Sequence, residues 1–150
     1  MTASPVVSFL NGSGRDGAGR TLGAVLALND KTLEDRHDFI QWLFPLAEPS
    51  RAVPGSPVLT EEDRVAISGS AAALANLAAA AGRPSAFYEV TDHWLGRQDH
   101  NHLRISRIIR SLRLLVGDTA ADNFRDARLA DVSAREGKVN PVSLEHWRRS

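Results

Sequence analysis

The chain has 150 residues, with 18 Lys+Arg against 18 Asp+Glu, five His and no Cys. A chain of this length buries about 70% of its unfolded surface and needs no covalent staples, and the missing cysteine removes disulfides, thiolate catalysis and Cys-based zinc sites. Hydrophobic residues at 43% and charged residues at 24% exclude wholesale disorder, no apolar run nears the roughly 18 residues of a membrane span, and zero formal charge argues against a bulk electrostatic grip on nucleic acid.

The first residues, Met1 to Pro5, carry neither a basic region nor a long apolar one, so no secretory signal is visible and a cytoplasmic location is expected. Residues 1–20 read as a glycine-rich N-terminal segment and 21–150 as one helical domain. Val6 to Leu10 is a strand candidate. After it, Gly12, Gly14 and Gly17 satisfy G-x-G-x-x-G, and Gly14, Gly19, Arg20 and Thr21 have a Walker-type spacing. A dinucleotide fold needs alternating strands and helices, and a Walker loop needs a compact Lys where Arg20 stands. Helices follow instead, so the glycines are expected to make a flexible loop whose Thr21 caps the helix Leu22–Leu28.

The next helix is predicted over Leu33 to about Phe44, capped by Thr32, with Leu33, His37, Ile40 and Phe44 as its inward stripe. On that basis His37, Ile40 and Phe44 are core, and His37 is a hydrogen-bonded interior histidine. Pro45 ends the helix. Pro49, Pro54, Gly55 and Pro57 mark a loop up to Leu59. Thr60, followed by Glu61, Glu62 and Asp63, caps a long helix whose stripe is Ile67, Ala71, Leu74, Ala78 and Ala81, and Gly82, Arg83 and Pro84 stop it. Ser85 to Trp94 is expected as a further helix capped by Ser85, with Phe87 to Thr91 also compatible with a strand.

Asp99 caps the best-defined helix, His100 to about Val116, with Ile105, Ile108, Ile109, Leu112 and Val116 inward and Gly117 closing it. A helix from Asp118 or Thr119 turns Phe124, Ala127 and Leu129 inward. A last short one, capped by Ser143, contains Trp147. Six or seven helices with short connections predict an all-α, helical-bundle-like single domain.

On a helical wheel Arg104 and Arg107 lie within about 60° of each other with His100 between them, beside Asn101 and flanking the apolar stripe. No acid occurs between His100 and Gly117, so this edge calls for anionic company. His100, Asn101, Arg104 and Arg107 could bind a carboxylate or phosphate, or internal acids such as Glu34, Asp38 and Glu61 to Asp63 could serve instead. Arg104, Arg107, Arg110 and Arg113 also step round the polar side, which keeps a nucleic-acid reading open for helix 100–116. His100 and His102 point about 160° apart and cannot readily share a metal, so exposed imidazoles in a first helical turn are expected there. No serine has a sequence neighbour that marks an activated nucleophile. Trp42 points away from the Leu33–Phe44 stripe, into a second layer or a groove.

Two blocks carry a family resemblance. His37 to Pro45, HDFIQWLFP, resembles the H-x-[FY]-I-Q-W-L-F-P signature of the opioid growth factor receptor conserved domain, and His100 to Ile109, HNHLRISRII, resembles its later H-N-x-L-R-I-[ST]-R-I-L block. The similarity spans roughly residues 16 to 130 and implies an all-α, receptor-like binding module without known catalytic residues. In vertebrate members the family is linked to a small opioid peptide, growth regulation and the nucleus. Composition and length here look bacterial. The expected site joins the Trp42–Pro45 helix end to the start of the His100 helix. A small anion, peptide or protein partner would be held there by His100, Asn101, Arg104, Arg107 and Trp42, without metal or cofactor. An enzyme using His100 or His37 as acid/base is the alternative.

Overall fold

A computed structural model describes residues 3–150. The elements in order are α1 (Pro5–Leu10), α2 (Leu22–Leu26), α3 (Asp30–Asp35), α4 (Ile40–Leu43), α5 (Glu61–Ser68), α6 (Ala71–Ala80), α7 (Gly82–Val90), a 3-10 turn (His93–Leu95), α8 (Asn101–Leu115), α9 (Asp118–Ala134) and α10 (Pro141–Arg149). Among the described residues no strand forms, and one isolated bridge joins Arg15 to Thr21 inside a loop. The fold is all-α, as the periodicity predicts. The chain divides into two compact units, Met1–Ala80 and Ala81–Ser150. Among the described residues no single helix is long and apolar enough to cross a membrane.

In the first unit the strand candidate Val6–Leu10 is instead the helix α1, because Ser4 caps it and Pro5 sits at its first position, where a missing N–H costs nothing. Val6, Val7, Phe9 and Leu10 are all buried, and α1 packs against α4, α5 and α6. The glycine segment is therefore continuous with a core element. Its loop is tightly built. The buried Asp16 carboxylate accepts the amides of Ala18 and Arg20 at 2.9 Å each and the Arg20 Nε at 2.7 Å. Arg20 reaches on to Asp38 at 2.9 Å. Burial opposes the Arg20 charge, but hydrogen bonds to Asp16 and Asp38 outweigh it and hold the guanidinium above its ordinary value. A Cβ on Gly14 would stand 2.8 Å from that of Ser8, so only glycine fits there. Thr21 caps α2 by accepting the Ala24 amide, as predicted.

Two predicted helices are each broken in two. Leu33–Phe44 splits into α3, capped by Asn29 and not Thr32, and α4, with Arg36 extended between them. The break removes the helical stripe: Ile40 and Phe44 are core residues, but His37 is exposed in the connecting turn. The long helix from Thr60 keeps its capping box, with Thr60 and Asp63 exchanging side-chain and backbone bonds, then breaks at Gly69 and Ser70. Ser70 Oγ accepts the Ala73 amide and starts α6, which re-phases the buried stripe to Ala73, Leu77 and Ala80.

α6 ends at Ala80, just before Gly82, Arg83 and Pro84 as expected, and in the second unit these three then form the first turn of α7, since proline is tolerated where helical N–H groups lack partners anyway. Ser85 lies inside that helix and caps nothing at its start. Helices α8 and α9 make the most extensive pairing in this unit, joined by Val116 and Gly117, the latter at φ +142°. Ile105, Ile108, Ile109 and Leu112 are buried as predicted, and Val116 is half-buried. On α9 the inward positions are Ala121, Phe124 and Arg128, while Ala127 is exposed. Arg128, 1% exposed, lies 5.2 Å from the Phe124 ring and 5.7 Å from that of Tyr88, and pairs with Asp131 at 3.1 Å. Its flat, weakly hydrated guanidinium is what allows a charged group to occupy a core position.

Candidate functional site

The head of α8 is assembled by the turn before it and by α10. The helix starts at Asn101, with His100 at the cap position, one residue later than expected; Asp99 Oδ1 still accepts the Asn101 amide at 2.9 Å and its Nδ2 at 2.8 Å. Asn101 is fully buried and its Oδ1 accepts the Tyr88 hydroxyl at 3.1 Å. Its amide thus ties the cap to α7 and points away from solvent.

Asn140, not Ser143, caps α10: Oδ1 accepts the Ser143 amide at 2.8 Å and Pro141 takes the first helical position. The Asn140 Nδ2 donates to Arg97 O at 2.6 Å and to Ser143 Oγ at 3.0 Å. These partners fix the orientation of the side-chain amide, because a carbonyl faces the nitrogen and an N–H faces the oxygen. Trp147, fully buried on α10, donates its indole N–H to His102 O at 3.0 Å and meets the His102 ring edge-on at 5.6 Å.

His102 corrects the expectation of an exposed imidazole. It is 4% exposed, with Nε2 2.8 Å from Trp94 O and Nδ1 3.1 Å from Ser143 Oγ. The carbonyl can only accept, so Nε2 carries the hydrogen. In the neutral ring Nδ1 is then an acceptor, and the Ser143 hydroxyl donates to it. The chain of donors runs Asn140 to Ser143 to His102, and the ring donates onward to the Trp94 carbonyl. With both ring nitrogens engaged, His102 has no atom left to share a metal with His100.

Over this network opens a hollow of about 520 Å³, lined by Gln98, Asp99, His100, His102, Leu103 and Ser143. His100 is exposed, and Leu103 is 75% exposed on the first turn of α8. Val142, also exposed, neighbours Ser143 on α10. The lining therefore combines the hydrogen-bonded pair His102 and Ser143, a carboxylate, a second imidazole and an exposed aliphatic side chain.

The other sequence-predicted residues stand as follows. Arg104 is buried, 8% exposed, and Arg107 is half-buried; neither lines the hollow. Arg113 is committed: its Nε donates to Ser150 O at 2.6 Å, and its two terminal nitrogens reach Asp118 at 2.8 Å and Asp122 at 2.7 Å. These hydrogen bonds raise the Arg113 pKa and lower that of Asp122. With Arg104 sunk and Arg113 paired, α8 presents no unbroken row of arginines for phosphates. Trp42 belongs to the first unit, where it is half-buried and meets Phe9 edge-on at 5.7 Å. Sequence reasoning missed His102 and Ser143 as a pair. The available signal was Asn140-Pro141, a capping residue followed by a first-position proline, which sets the start of α10 and places Ser143 in its first turn.

No family model matches the chain, and no curated protein and no solved structure matches it.

Proposed function

We propose that this chain is a binding module akin to the opioid growth factor receptor conserved domain, and that its second unit takes a peptide segment of a protein partner in the hollow at the head of α8. The observation that carries the reading is the lining of that hollow, with Gln98, His100 and Ser143 offering hydrogen-bonding groups beside a Leu103 that is 75% exposed. An extended peptide backbone supplies the N–H and C=O groups such a wall can pair. Covering an exposed leucine contributes up to about 2 kcal/mol. The Asp99 carboxylate in the wall repels a small free anion of the kind that His100, Arg104 and Arg107 suggest on the helical wheel, which favours a peptide.

Peptides displayed on phage and selected on the immobilised full chain test this. Selected peptides are expected to bind the Leu103→Asp variant at least about tenfold more weakly, the equivalent of about 1.4 kcal/mol. Leu103 is exposed, so the variant keeps its fold. Equal binding to both proteins overturns the reading.

A further inference from the structure

The hydrogen-bond chain through His102 also defines a nucleophile. We propose that Ser143 and His102 form an acyl-accepting pair, with Ser143 Oγ attacking the carbonyl carbon of a small activated carboxylic ester, an aryl ester or thioester, seated in the hollow. The Ser143 Oγ–His102 Nδ1 distance of 3.1 Å is within the reach of a general base. The hydroxyl proton already points at that nitrogen, because Nε2 holds the ring hydrogen against Trp94 O and Asn140 Nδ2 donates to the same hydroxyl oxygen. Trp94 O holds the far ring N–H at 2.8 Å and serves as the orienting third group. The Trp147 ring edge keeps the imidazole from swinging out. Ser143 is half-exposed in the wall, so a carbonyl group approaches it from solvent, with Leu103 beside the acyl or leaving group.

The step balances without a co-reactant. As the Ser143 Oγ–carbon bond forms, the hydroxyl proton passes to His102 Nδ1. The imidazolium then carries one hydrogen on Nδ1, toward Ser143, and the other on Nε2, donated to Trp94 O. Collapse breaks the bond between the carbonyl carbon and the leaving oxygen or sulfur, and that atom departs with the Nδ1 proton. Water attacks the acyl-serine with His102 again as base, releasing the carboxylic acid and restoring Ser143. Gln98 and His100 line the same hollow. A neutral carbonyl stabilises the imidazolium less than a carboxylate does, which is why the substrate class is restricted to esters with good leaving groups.

The full chain treated with p-nitrophenyl acetate, followed by peptide mapping by mass spectrometry, tests the pair. Acetyl is expected on Ser143 ahead of every other serine, absent in Ser143→Ala and formed about a hundredfold more slowly in His102→Gln. No preference for Ser143, or an unchanged rate in a folded His102→Gln variant, overturns the proposal. Should His102→Gln not fold, the wild-type acetylation rate in heavy water decides: slowing supports proton transfer in the rate-limiting step, and an unchanged rate overturns it. The pair needs only the open hollow, so Ser143 acetylation and the Leu103-dependent peptide capture stand or fall separately.

Discussion

The loop around Asp16 and the head of α8 are both polar networks, yet they end differently. In the loop, a buried carboxylate takes up the amides of Ala18 and Arg20 and the Arg20 guanidinium, and every bond returns to the loop or to Asp38. At the head of α8, the bonds run from Asn140 through Ser143 to His102 and on to the Trp94 carbonyl, and the serine in the middle lines an open hollow. A closed network stabilises a fold; a network with a member facing solvent can also meet a ligand. The glycine spacing that looked like phosphate chemistry belongs to the closed one. The anion its amides receive is the chain's own Asp16.

That contrast can be broken by substitution. Asp16→Ala is expected to have the largest effect, about 3 kcal/mol of lost stability in urea denaturation, because it leaves buried donors and a half-buried Arg20 without their carboxylate. A loss below about 1 kcal/mol would mean that Asp16 does not close the loop. Ser143→Ala is expected to cost only about 1 kcal/mol, since water in the hollow can reach His102 Nδ1 in place of the hydroxyl. A cost matching that of Asp16→Ala would make Ser143 structural. The smallest effect concerns Asp122. Its hydrogen bond from Arg113 outweighs slight desolvation and puts its folded pKa below the unfolded value. The contribution is therefore complete above the ordinary carboxylate range and is lost as pH falls through the lowered value. Asp122→Asn is expected to flatten the acid side of a melting temperature–pH profile and to leave its alkaline side unchanged.

Much of the fold was legible because it is local. Thr21, Thr60, Asp99 and Gly117 act at helix ends as their chemistry dictates, and the stripe of α8 from Ile105 to Leu112 is buried as its spacing requires. The breaks were not legible. The turn at Arg36 to Phe39 is held in part by Arg20 gripping Asp38 from 18 residues away, an interaction that periodicity does not register. Arg128 sits at a core position because two aromatic rings meet it there, one of them from α7. The site was half legible. His100 lies in the hollow as the motif suggested, but His102 was assigned to solvent. The residue that covers it, Ser143, comes 41 positions later.

The two-residue connection between α8 and α9 has a consequence for how this sequence can vary. Surface turns usually absorb insertions and deletions freely. Here Gly117 stands at a backbone conformation that other residues rarely adopt, and α9 begins at the next position with its azimuth already set. One inserted residue would rotate the following helix by about 100°, carrying Ala121, Phe124 and Arg128 off the inward face. Length variation among natural versions of this chain is accordingly expected in the loop before Leu59 and not at this turn.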